Sequence, residues 1–199
     1  MSTTQIIVLI VVILIVAAIA AAVWYASRRQ ALRRRFGPEY DRRLAEADDR
    51  QEVERELRER ERRHAELELR PLSAESRATY AAAWEEVQVR FVDSPADAVR
   101  AGDELVTRLV AERGYPTGDY DEQMAHLSVE HARTLGHYRD AHDINLRNER
   151  GEASTEDLRQ ALVHYRALFA DLLGEDPVGQ REARPDTPND APQDATPRQ

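Results

Sequence analysis

Read for its hydrophobic and polar positions, the chain opens with no alternation at all. Ile6 to Ala26 is a run of 21 apolar or interfacial residues without a charge. At 1.5 Å per residue such a run makes about 31 Å of helix, close to the roughly 30 Å hydrocarbon core of a bilayer. A backbone in lipid must satisfy its own N–H and C=O groups, so the run is predicted to be a transmembrane helix. Trp24 and Tyr25 fall where it leaves the hydrocarbon, the depth that amphipathic rings prefer.

The pattern then turns almost wholly polar. After Phe36-Gly37-Pro38, the stretch Glu39 to Arg70 carries i, i+4 acid–arginine pairs in the favourable order: Glu39/Arg43, Glu46/Arg50, Glu54/Arg58, Glu56/Arg60 and Glu59/Arg63. Each pair is worth roughly 0.2–0.5 kcal/mol on a helix surface. Val53, Leu57, His64 and Leu67 approximate a seam, but Arg60 interrupts it, and sustained apolar heptads are missing. The pattern predicts a charged, solvated stalk helix of about 30 residues in preference to a dimerising coil.

From Pro71 an apolar stripe at 3–4 spacing returns. Ser73 opens a helix bearing Tyr80, Ala83, Trp84, Val87 and Phe91. Ser94-Pro95 with Asp97 reads as a capping box starting a second helix, through Val99, Leu105, Leu109 and Val110 to Gly114. Acids at 119–122 open a third helical region, expected to bend or restart near Ser128 and to run on through Leu135, Tyr138 and Ile144. Ser154-Thr155-Glu156-Asp157 caps the last helix, with Leu158, Leu162, Tyr165, Phe169 and Leu172, terminated by Gly174. With no β-alternation, these segments predict an antiparallel helical bundle. The region 175–199 has five prolines and almost no aliphatics, so it is expected to be a disordered tail.

The expected fold is therefore all-α. It comprises a short N-terminal segment (1–5), the transmembrane helix (6–26), a basic juxtamembrane segment and stalk (27–70), the bundle domain (71–174) and the tail (175–199).

Composition narrows the chemistry. All 28 basic residues are arginine, and cysteine is absent. Schiff-base lysines, the P-loop lysine, thiol nucleophiles, thiolate metal sites and disulfides are thereby excluded. Residues 28–35 hold five arginines and no acid, whereas residues 36–174 hold 20 arginines and 31 acids. That acidic body excludes nucleic acid as a partner, since nucleic-acid binding needs a cationic footprint. Arg28, Arg29, Arg33, Arg34 and Arg35 directly follow the span, which predicts N-terminus out and the C-terminal domain in the cytoplasm. The same cluster can touch anionic headgroups, so the lipid bilayer is one expected partner. A cleavable signal peptide ending at Ala18-Ile19-Ala20 is the competing reading. It is disfavoured because residues 1–5 carry no basic side chain. Ala18 and Ala22 form a small-xxx-small pair that would let two spans approach as a homodimer, a weak signal in an alanine-rich run.

No site carrying chemistry is expected: no catalytic, cofactor-binding or metal-ligating residue is assigned. Of six histidines, His126, His131, His137, His142 and His164 fall together, near Glu122, Glu130 and Asp140. The 126/131 and 137/142 spacings point side chains about 140° apart on a helix, and Glu61/His64, the one Glu-x-x-His, lies on the charged stalk. Asp119 and Asp121 lack the rest of a calcium loop and suit a helix start. The aromatic set Tyr80, Trp84, Phe91, Tyr138, Tyr165 and Phe169 reads as core. Gly-x-Ser-x-Gly and Gly-x-Gly-x-x-Gly do not occur.

Arg33-Arg34-Arg35-Phe36-Gly37-Pro38-Glu39-Tyr40, Phe91-Val92-Asp93-Ser94-Pro95, Arg113-Gly114-Tyr115-Pro116, and the run Thr155 to Leu162 continuing to His164-Tyr165-Arg166 belong together. In these stretches the chain resembles a group of uncharacterised actinobacterial single-pass membrane proteins with a helical cytoplasmic region. The likeness covers about residues 5–173, and arginine-only usage fits a high-GC genome. It implies architecture and location, and no functional residue. The expected function is a membrane-anchored, non-enzymatic helical interaction or scaffold module with an unidentified protein partner. The alternative is a ligand- or metal-sensing bundle using the histidine-rich 126–164 region.

Overall fold

The structure, a computed structural model, describes residues 3–174, with side chains described from Val11 onward. The expectations for Met1, Ser2 and the tail 175–199 lie outside the described residues. Seven helices and no strand are present among the described residues: α1 (Thr3–Glu46), α2 (Arg50–His64), α3 (Ala74–Asp93), α4 (Pro95–Glu112), α5 (Tyr120–Glu130), α6 (Ala132–Glu149) and α7 (Thr155–Leu173). The protein is all-α.

The sequence signals at helix ends mostly act as their chemistry dictates. The Ser73 hydroxyl accepts from the Ser76 N–H, the Asp119 carboxylate from the Glu122 N–H, and Ser154 with Asp157 closes a reciprocal capping box. Ser94 differs from expectation. Its side chain makes no cap bond, Pro95 starts α4, and Asp97 pairs with Arg100 instead. The third region breaks at His131, three residues beyond Ser128, where non-helical backbone separates α5 from α6.

Helices α3, α4, α6 and α7 enclose the main core, in which Val106, Leu109, Leu135, Tyr165, Leu168 and Leu172 are fully or almost fully buried. Trp84 stacks on Phe169 with ring centres 4.8 Å apart. Gly114 has a φ of +94°, and a Cβ there would meet the Glu68 carbonyl oxygen at 2.7 Å. Only glycine lets the α4 end lie against the chain that enters α3, where the Arg70 N–H donates to the Arg113 carbonyl at 2.9 Å.

The segment expected to be a solvated stalk departs from that reading. Helix α1 passes through the apolar run and the arginines, kinks at Gly37 (φ +42°, ψ −118°) and ends at Glu46. Pro38 lacks an N–H and clashes with the preceding turn, and Gly37 takes up the resulting bend. A short turn then reverses the chain into α2, so residues 39–64 form two short helical pieces packed on α5 and α6. Leu32, Phe36, Tyr40, Val53, Leu57 and Val129 form a second, smaller core. The interrupted seam of Val53, Leu57 and His64 is thus an inward face.

Candidate functional site

Helix α1 is long and apolar enough to cross a membrane, and none of the window that qualifies it is buried against the rest of the chain. Val11, Leu14, Val16, Ile19 and Val23 are all exposed. Six residues after Ala26, about 9 Å along the helix, Leu32 is already buried in the smaller core. The arginines between do several jobs. Arg28 lies over the Trp24 ring at 4.0 Å, and Arg29 and Arg35 reach Glu54 and Glu61 on α2 at 3.8 and 3.5 Å.

Two buried carboxylates knit this junction together, Glu54 between α1 and α2 and Glu39 onto the bundle. Glu39, 2% exposed, accepts two hydrogen bonds from Arg139 on α6 at 2.7 and 3.0 Å. Arg42 donates two more at 3.1 and 2.9 Å, and Arg60 on α2 lies at 3.4 Å. Burial alone would raise the Glu39 pKa, but the Arg42 and Arg139 hydrogen bonds outweigh it and bring it down to about 2. Glu54 accepts from the Tyr40 hydroxyl at 3.3 Å and from Arg58 at 3.2 Å.

Above Glu39 opens a cleft of about 680 Å³ between α1, α2, α5 and α6, lined by Arg42, Arg43, Arg60, Arg63 and Arg139 with Tyr120 and several acids. Its guanidinium groups are already engaged. Arg43 and Arg60 each donate to Glu56 at 2.6 Å. Tyr120 stacks on His142, with ring centres 4.5 Å apart, and burial pushes its hydroxyl up to about 12. The lining therefore offers forked donors and carboxylates, suited to polar recognition, and no nucleophile beside a base.

The histidines divide into three places. His126 and His131 join His64 around Tyr115: His64 lies 6.3 Å from His126 and 6.0 Å from Tyr115, which lies 5.9 Å from His131. His131 Nδ1 lies 2.9 Å from Asp171, while His64 Nε2, His126 Nδ1 and His131 Nε2 are buried without a hydrogen-bond partner. Burial pushes His64 and His126 below their ordinary value. His142 is different: its bond to Asp103, which also accepts from the Tyr165 hydroxyl at 2.6 Å, raises it. The third place, on the outer surface of α6 and α7, brings His137, Asp140 and His164 together.

The other candidates fall as follows. Asp119 caps α5, whereas Asp121 lines the arginine cleft. Trp84, Tyr138, Tyr165 and Phe169 are core residues, and Tyr80 and Phe91 are half-buried against them. Sequence reasoning missed two groupings, the His64 cluster and the Glu39 network. The inward stripe of Val53, Leu57 and His64 was the available signal for the first. No local signal marks Glu39, whose partner Arg139 is 100 residues away. No family model, curated protein or solved structure matches the chain.

Proposed function

We propose that the protein is a membrane-anchored helical interaction module, with no enzymatic role, whose N-terminal helix crosses the cell membrane once and whose remaining helices sit at the cytoplasmic face. One observation carries the reading: the exposed apolar part of α1 runs without interruption into a buried face of the folded body. An exposed apolar rod of this length has no favourable environment in water, at about 25 cal/mol per Å² of apolar surface. Five arginines at its inner end favour the cytoplasmic side for the bundle. The arginine–carboxylate cleft gives the module a polar surface on which to engage a protein partner.

Reporter fusions test it. With alkaline phosphatase fused after Gln199, cells remain inactive, a cytosolic reporter at the same point is active, and the chain stays in the membrane pellet after alkaline carbonate extraction. An active phosphatase fusion overturns the orientation. Release by carbonate, or recovery of a mature form lacking about the first twenty residues as a signal-peptide cleavage would leave, overturns the anchor itself.

A further inference from the structure

The geometry points to a site for a borderline transition-metal dication, of the zinc class, formed by His137 and Asp140 of α6 and His164 of α7. His137 and Asp140 are three residues apart and so share one face of α6. That face meets α7 where His164 projects. The Nδ1 atoms of His137 and His164 are 2.8 Å apart, their ring centres lie 4.9 Å apart, and one ligand atom from each of the three residues lies within 4.8 Å of the other two.

A tetrahedral ion at 2.0–2.1 Å from each imidazole nitrogen holds two such nitrogens about 3.3 Å apart. The pair therefore opens by roughly half an ångström to accept the ion, and the exposed Asp140 carboxylate swings in as third ligand. Two imidazoles and one carboxylate suit zinc, nickel or copper, and not magnesium or calcium, which require oxygen donors. The fourth position opens to water, because His137 and Asp140 are exposed and His164 is only half-buried. Bound metal would staple α6 to α7 across the loop that joins them. The site lies outside the arginine cleft and its existence does not depend on the membrane reading.

The test uses the full chain without a histidine tag, in detergent micelles at pH 7.5, stripped with chelator and titrated calorimetrically with zinc chloride. The expected result is one zinc per chain with a Kd of about 10 μM or tighter. No heat is expected from magnesium, and cobalt should give the visible absorption of a four-coordinate site. Outer-shell changes cost about 10–100-fold in metal affinity, so losing two direct ligands in H137Q/H164Q costs at least tenfold. Asp140→Asn weakens binding and His126→Gln does not. At a hundredfold excess over Kd, zinc should raise the melting temperature by about 5–10 °C. A Kd weaker than 10 μM overturns the proposal. So does a binding constant that changes less than tenfold in a folded H137Q/H164Q chain. If that variant fails to fold, the Asp140→Asn titration and the cobalt spectrum of the parent decide.

Discussion

Glu39 offers the most demanding test of how the N-terminal helix is joined to the bundle. Its carboxylate is 2% exposed and bonded to guanidinium groups from α1 and α6, with a third from α2 nearby. Replacement by glutamine keeps the shape and removes the charge. The folded-state pKa falls from 4.5 to about 2. At about 1.4 kcal/mol per pKa unit, this corresponds to about 3 kcal/mol at neutral pH, in the range measured when one partner of a buried pair is lost. Because the folded pKa is depressed, that stabilisation is complete above about pH 4.5 and disappears as the pH falls through about 2. Urea titration of the full chain in micelles is the assay. Trp84 fluorescence reports unfolding in a Trp24→Phe background, which silences the other tryptophan. At pH 7, Glu39→Gln should lose about 3 kcal/mol, or about 6–12 °C in melting temperature, and the gap should narrow steadily below pH 4.5. A double cycle with Arg139→Gln should show coupling of about 1.5–3 kcal/mol. A variant within about 0.5 kcal/mol of the parent at pH 7 would refute the reasoning. An undiminished gap at pH 3 would refute it equally.

Three further outcomes are expected from unfolding measurements on the same chain. Gly37→Ala has open space around its added methyl but must adopt a positive φ, so it should lose about 1–3 kcal/mol purely through backbone strain. Trp84→Ala removes the ring stacked on Phe169 and should cost about 3–5 kcal/mol, measured by circular dichroism because the fluorescent probe is gone. Histidine titration should act in two opposite directions. His64, facing Glu130, His126, His131 and Arg35, and His126, facing Glu122 and Arg63, are depressed, so their contribution is complete above pH 6.5 and falls as the pH drops below it. His142 is raised by Asp103, so its contribution is present below pH 6.5 and lost as the pH rises through its higher folded value. Melting curves from pH 5 to 8 should therefore flatten at the acid end in a His64→Gln/His126→Gln chain and at the neutral end in His142→Asn.

The bundle was legible in the sequence because its helices carry apolar stripes and α3, α5 and α7 add capping residues, and both signals are local. Ser73, Asp119, Ser154 and Gly174 act where they stand. Residues 39–64 misled for a physical reason. Their helices bury few apolar side chains and complete the interface with Glu39 and Glu54, whose charges are matched by arginines. The favourable i, i+4 pairs of a solvated helix are the same residue types that fill a charged interface. Glu54–Arg58 is such a pair, yet its carboxylate is buried. The histidines illustrate a second limit. Spacing within one helix separates His137 from His142, but contacts between α6 and α7 bring His137 to His164, and no single-helix period contains that pairing.

On the membrane-anchored reading, the junction also constrains what the anchor can transmit. A flexible tether would leave the bundle free of whatever happens to the rod, but here Leu32 and Phe36 belong to the same unbroken helical run as Val11 to Ala26 and are packed on α2 and α5. Rotation or tilt of the apolar segment therefore moves those side chains directly, and the kink at Gly37 follows them at once. Beyond it stands Glu39, held by Arg139. That contact loses most of its stabilisation once the guanidinium fork is displaced. On the membrane-anchored reading, the arginine cleft formed by α1, α2, α5 and α6 is the surface whose shape such a displacement would change, so a partner docked there would sense the position of the helix in the bilayer.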